Sequence, residues 1–316
     1  MVLQLLWAEN RGLTTQEMTM RTRGQRGRSK ATLDLIVTCR EIIRGVQPIT
    51  VRGVCYRLFV AGLIDSMAVK NTQKISRLLV ELREEGIIPW EWIVDDSRHM
   101  EGGGGYTDLK AYARAVEYAY RRDFWAHQRR RVIVISEKAT VAGIVRPVVD
   151  EYGVPFFAAH GFNSATKMHE LAEEIADDQR HTVLLYVGDY DPSGMYMSEC
   201  DLRYRLAGYG AGCDEDDDYT LKRVALTHAD VQRGDLPSFD GETKKSDPRY
   251  KWFTSRYGQD AWELDAMDPN TLRERVKNEI EEFINKEDWE QHKRIEELQR
   301  ETTRKIAQAM ERAECN

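Results

Sequence analysis

The chain has 316 residues, 41% of them apolar and 31% charged, with a net charge of −7 at pH 7. That length supports about two domains with separate cores, and no apolar run approaches the roughly 20 residues a membrane span needs. Five scattered cysteines (Cys39, Cys55, Cys200, Cys213, Cys315), odd in number and never in a CxxC pair, argue against a disulfide framework or a zinc site and predict a reducing cytoplasm. The opening residues, MVLQLLWAEN, lack the basic start of a signal peptide. The net charge hides an asymmetry: RTRGQRGRSK at 21–30 is basic, and DEDDD at 214–218 is acidic. A negative total is compatible with a basic binding face.

Residues 1–30 are polar and Arg/Gly-rich after the first seven and are expected to form a flexible basic arm, read either as a disordered tail or as an arm that contacts phosphates. From Ala31 the apolar residues Leu33, Ile36, Val37, Ile42 and Ile43 keep helical spacing up to Pro48. Thr50 is placed to cap a second helix, VRGVCYRLFVAG, which Gly62 stops. A third helix starts at Asn71, carries Ile75, Leu78, Leu79 and Leu82 on one face, and ends at Gly86. IIPWEWIVDDSR then predicts one or two short strands. Three helices followed by a small ribbon is the order of a winged-helix module over 31–106. Its third helix carries Lys74, Arg77 and Arg83, as a groove-facing helix would. The run of glycines at 102–105 is a loop, without the Gly-Lys-Ser/Thr of a phosphate loop. Residues 107–130 read as one connecting helix.

From Arg131 strands and helices alternate: RVIVIS, VPFFAA, TVLLYV and LKRVAL as strands, with helices between them and Asn163–Ser164 capping the second. The predicted class is α/β, a parallel sheet with helices on both faces over 131–286. Residues 229–260 are expected to form an extended polar loop over the sheet edge. A helix from Pro269 to about Asn285 and a charged helix over 287–316 close the chain. The last helix has Ile295, Leu298, Ile306 and Met310 on one stripe, suited to packing on the body or on a partner.

The acids carry the chemical signal. In a parallel sheet, ligands bind beyond the C-terminal strand ends. Glu137 follows the first strand there, and Asp189 and Asp191 follow the third. In an extended turn, residues i and i+2 point the same way, so both aspartates face one ion. Mg²⁺, or Mn²⁺ in its place, takes such carboxylates with waters and phosphate oxygens. Asp191, just before Pro192, equally suits a helix cap. Near this edge, Lys138 is a candidate phosphate contact, Glu199 an outer acid and His160 a lining residue. Lys167, Lys244, Lys245 and Lys251 are candidate DNA contacts.

Glu137 with the later GDYDPSG resembles the Toprim domain, and the DxDPxG turn is similar to that of the topoisomerase VI A-subunit family, which includes stand-alone A-like proteins of phages and mobile elements. VRGVCYR resembles that family's Arg-x-x-Tyr-Tyr motif: Arg52 matches the arginine, Cys55 replaces the first tyrosine, and Tyr56 falls on the nucleophile. WELDAM resembles its Glu-x-x-Ala-Leu segment through Glu263. The likeness spans roughly 33–285 in the family's domain order. It implies type IIB DNA cleavage in which Tyr56 forms a 5′-phosphotyrosine link, Mg²⁺ sits at Glu137, Asp189 and Asp191, and Arg52 and Arg57 anchor the phosphate or polarise the phenol. It also implies a homodimer that pairs the tyrosine of one subunit with the acids of the other to break both strands of duplex DNA. The chain has no ATPase signature, so strand passage would require a separate ATPase subunit. Two alternatives stand beside this: a Toprim nuclease that hydrolyses nucleic acid without a covalent intermediate, and a non-catalytic DNA-binding protein.

Overall fold

The structure is a computed structural model and describes residues 29–94, 105–158, 165–212, 218–240 and 244–313. The basic arm up to residue 28, most of the glycine run, His160, the Asn163–Ser164 cap and the core of the acidic stretch lie outside these residues.

Three helices open the described chain. In α1 (Lys30–Val46), Ile36, Cys39 and Ile43 recur every three or four residues and are buried. A two-residue strand, β1 (Ile49–Thr50), leads into α2 (Val51–Val60). Thr50 caps α2 as expected, its Oγ1 accepting from Gly53 N at 2.9 Å. α3 (Val69–Glu84) buries Ile75, Leu79 and Leu82. Gly62 and Gly86, at φ +69° and +73°, take the left-handed conformation that ends α2 and α3. Ile36, Ile43, Val54, Leu58 and Leu79 meet in one apolar core. After a short 3₁₀ turn at Trp90–Trp92, β2 (Ile93–Val94) pairs with β1. That pairing is parallel and two residues long. Residues 95–104, where a ribbon would continue, lie outside the described residues.

The connecting helix is shorter than its sequence predicts. α4 (Leu109–Ala119) stops eleven residues before β3. The chain is then held by distant partners: Tyr120 Oη donates to Gln299 Oε1 at 2.5 Å, and Arg122 N donates to Glu296 Oε2 at 2.9 Å.

The body is a four-stranded parallel sheet in the order β4–β3–β5–β6, with β3 (Arg130–Ser136), β4 (Phe156–Ala158), β5 (His181–Val187) and β6 (Tyr219–Ala225). All four strands fall on the predicted runs. Val132, Val134, Val183 and Leu185 pack with α5 (Ala139–Tyr152) and with α11 (Pro269–Glu281). Ile133, Ile135 and Leu184 pack on the opposite face with α6 (Ala165–Asp177) and α8 (Leu202–Gly208). Near-continuous apolar strands are what a sheet covered on both faces requires. The chain leaves β3 for β4 on one side and returns to β5 on the other. The ends of β3 and β5 therefore form the topological switch point, where such sheets open a crevice.

Between β6 and α11 the chain is more ordered than a polar loop. It forms α9 (His228–Gln232), an antiparallel pair of β7 (Phe239–Asp240) with β8 (Asp260–Ala261), and α10 (Tyr250–Tyr257), whose Phe253 is buried. The final helix, α12 (Lys286–Ala313), packs on α4. It turns Trp289, His292, Glu296 and Ala307 inward, while Leu298 is 68% exposed and Ile306 is exposed too. Of the predicted stripe Ile295 and Met310 are half-buried and Leu298 and Ile306 face outward, while Arg122 bonds His292 and Glu296 on the buried face. No described helix is long and apolar enough to cross a membrane.

Candidate functional site

The turn after β5 is built from backbone outward. Gly188 exchanges hydrogen bonds with Ala225 and Leu226, and Tyr190 pairs with Trp262, so Asp189 sits between two anchored neighbours. Asp191 caps α7 (Pro192–Tyr196), its Oδ1 accepting from Gly194 N at 2.8 Å. Gly194 is required: a Cβ there would collide with the Asp189 carbonyl. The aspartates are 4% and 2% exposed.

Arg223 holds this turn from below. It lies opposite Tyr186 in the β5–β6 register and stacks over the Tyr186 ring, 4.9 Å from guanidinium carbon to ring centroid. Its guanidinium donates to the carbonyls of Gly194 (2.7 Å), Leu226 (2.8 Å), Asp189 (3.2 Å) and Gly188 (3.3 Å). It thereby ties the turn's carbonyls together, two of which, Gly188 and Gly194, also accept from Leu226 N and Met197 N.

Cations from several elements meet the acids. Lys138 Nζ, from the residue after Glu137, lies 2.7 Å from Asp189 Oδ2 and 3.5 Å from Asp265 Oδ2. Asp189 Oδ1 also accepts from Leu264 N at 2.8 Å. Lys244 Nζ reaches Asp191 Oδ2 at 3.1 Å. At the start of α2, Thr50 Oγ1 donates to Asp265 Oδ1 at 2.6 Å, and Arg52 makes a two-pronged ion pair with Glu263. These bonds dock the helix bearing Tyr56 onto the Glu263–Asp265 segment of its own chain, whose Leu264 N donates to Asp189.

Glu137 feels that crowding. Burial first, then the charges of Asp189 and Asp191, push its carboxyl up to about 7. Tyr186 Oη is buried without a hydrogen-bond partner, and burial first, then the charge of Glu137, hold its phenol protonated. Tyr56 is 4% exposed. Burial and Glu263 raise its phenol above the ordinary tyrosine value, and Arg52 pulls the other way.

The three predicted ligands share one neighbourhood, but no three His, Cys, Asp or Glu side chains among the described residues are placed to hold a single ion. In kind they fit a hard divalent cation: buried carboxylates at a strand edge, crowded by like charge, beside an unsatisfied buried hydroxyl.

Other predicted residues sit elsewhere. Arg57 points away from the acids, to Asp268 at 3.4 Å. Lys74 and Arg77 are exposed on α3, and Arg83 stacks over Trp90. Lys167 pairs with Glu170 on the outer surface of α6, and Lys251 is exposed on α10. Glu199 accepts from the Tyr257 hydroxyl at 2.5 Å, joining α10 to the π-turn after α7. Arg223 and Asp265 do not stand out in the sequence as site residues: Asp265 lies two residues after Glu263 inside WELDAM, and Arg223 is one of two basic residues in the strand run LKRVAL.

No protein-family model, no curated protein and no solved structure matches this chain.

Proposed function

We propose that this chain cleaves DNA by transesterification in a site made of α2 and the acids of its own chain, whereas the resemblance to the topoisomerase VI A-subunit family implies the same partners drawn from two subunits. The observation that carries the reading is the docking of Thr50 and Arg52, one turn before Tyr56, onto Asp265 and Glu263 beside Asp189. Arg52 and Glu263, matched to the family's motifs and far apart in sequence, are bound to each other there. On this reading 31–106 is a winged-helix domain that presents Lys74 and Arg77 to duplex DNA.

The Tyr56 oxygen attacks phosphorus and forms a phosphotyrosine bond; the bond from phosphorus to the 3′ oxygen breaks, and that oxygen leaves as a hydroxyl. Arg52, 5.9 Å from the Tyr56 ring centroid, favours the phenolate. Glu137, Asp189 and Asp191 would hold Mg²⁺ or Mn²⁺, which supplies neutralisation of charge on the phosphate and the leaving oxygen. A homodimer would set two such clefts on the two strands, and strand passage would need a separate ATPase subunit.

The buried, proton-retaining phenol of Tyr56 favours a second reading, metal-dependent hydrolysis on the same acids with water as the nucleophile. One assay separates the two. Supercoiled plasmid is incubated with the protein and Mg²⁺ and quenched with detergent. The first reading expects protein covalently attached to 5′ ends, lost in Tyr56→Phe. Attachment that survives this change rules Tyr56 out, and linear product without attached protein selects hydrolysis. Cleavage that persists in Asp189→Ala with Asp191→Ala would remove the metal site from either mechanism.

A further inference from the structure

Five carboxylates gather near the ends of β3 and β5: Glu137, Asp189, Asp191, Glu263 and Asp265. Their counter-charges differ in character. Glu263 is taken by Arg52. Asp191 meets Lys244, whose side chain is 40% exposed and reaches in from the segment between β7 and α10. Lys138 is set more deeply. Its Nζ lies 2.7 and 2.9 Å from the two oxygens of Asp189 and 3.5 Å from Asp265, and both acids are almost fully buried. Its backbone is fixed as the residue that precedes α5, with N donating to Ser136 Oγ at 3.2 Å. An ammonium that chelates one carboxylate and bridges to a second makes the contacts of a bound cation. Glu137, by contrast, has no hydrogen bond or ion pair among the described residues, and the Tyr186 hydroxyl is buried without a partner.

We propose that Lys138 is a built-in cation that holds the place of a second metal ion between Asp189 and Asp265, so that the cleft takes one divalent ion, on the side of Glu137 and Asp191. The inference rests on the metal-binding reading above. Phosphoryl-transfer sites with two ions set them about 3.5–4 Å apart. A lysine fixed at one of those places supplies positive charge at any metal concentration, and the incoming ion need displace only the half-exposed Lys244.

The test counts ions on the full-length protein, using Mn²⁺ alone and electron paramagnetic resonance of the free ion at equilibrium. One Mn²⁺ per chain is expected in the unaltered protein and in Lys138→Arg. Two are expected in Lys138→Met, where the place is vacated and two carboxylates lose their counter-charge. Glu137→Gln is expected to weaken the single site at least tenfold. Two ions in the unaltered protein, or one in a folded Lys138→Met, overturn the lysine's role while leaving the metal site standing. No bound ion at all overturns the metal reading, and this inference falls with it. Should Lys138→Met not fold, as judged by circular dichroism, Lys138→Gln takes its place, and two ions in the unaltered protein remain decisive against the idea.

Discussion

The helical unit at residues 29–94 and the cleft at the sheet edge hold themselves together by opposite means. In the first, Ile36, Ile43, Val54, Leu58 and Leu79 bury apolar surface in one cluster, with Arg40 buried on the first helix. In the second, the buried carboxylates Asp189 and Asp191 and the half-buried Glu263 are each met by a partly exposed cation, Lys138, Lys244 and Arg52. Apolar packing is non-directional and tolerates small shifts, at roughly 1.5–3 kcal/mol per fully buried large side chain. A buried ion pair contributes little net stability when intact but is costly to break. α2 belongs to both regions: Val54 and Leu58 lie in the apolar core, while Thr50 and Arg52 face the acids. Removing one partner should therefore hurt the cleft most, whereas trimming a side chain should hurt the helical unit.

The largest effect is expected from Asp189→Ala. It leaves Lys138 with Asp265 alone and Leu264 N without an acceptor, at a cost of about 4 kcal/mol. Asp189→Asn keeps an acceptor for Leu264 N and should cost clearly less. Urea melts of the two variants measure the difference, and equal losses would mean that charge is not what matters there. Leu79→Ala comes next, at about 3 kcal/mol from a fully buried site. It should leave the number of bound Mn²⁺ ions unchanged; a change in that count would show that the two regions do not behave separately.

A smaller, pH-dependent effect belongs to Asp178, outside both regions. Hydrogen bonds from Arg180 hold its carboxyl down at about 2, below the ordinary 3.8. A depressed folded value stabilises the protein above the unfolded value and loses that contribution as pH falls through 3.8 to 2. After discounting for solvent screening, Asp178→Asn should cost about 1 kcal/mol at pH 7 and nothing near pH 2. A loss that stays constant with pH would contradict the charge assignment. The smallest effect on stability is expected at Lys74→Ala and Arg77→Ala, both on the exposed face of α3, within about 0.5 kcal/mol. If these residues meet phosphates, each change lowers the salt dependence of DNA binding by about one ion. An unchanged slope would place the DNA elsewhere.

Much of the fold was legible because its signals are local. A two-residue or three-to-four-residue period, Thr50 as a cap, and Gly62 and Gly86 as stops each depend on a few neighbours along the chain. The failures share the opposite cause. α4 ends at Ala119 because Tyr120 and Arg122 find Gln299 and Glu296 some 175 residues later. The stretch 229–260 is ordered because Phe253 finds the sheet's core. Arg223 looked like any strand residue until the register with β5 placed its guanidinium beneath the turn.

By itself the sequence determined that apolar strands would alternate with helices and that Glu137, Asp189 and Asp191 would stand at strand ends, since both follow from periodicity and strand direction. Tertiary structure alone decided the order β4–β3–β5–β6, which makes the ends of β3 and β5 neighbours. It also decided which charges the acids meet. Lys138 follows Glu137 directly yet pairs with Asp189 and Asp265, and Arg52 finds Glu263 211 residues away. The physical reason is that a buried carboxylate is stable only with its charge and lone pairs matched, and those partners arrive only when distant elements pack.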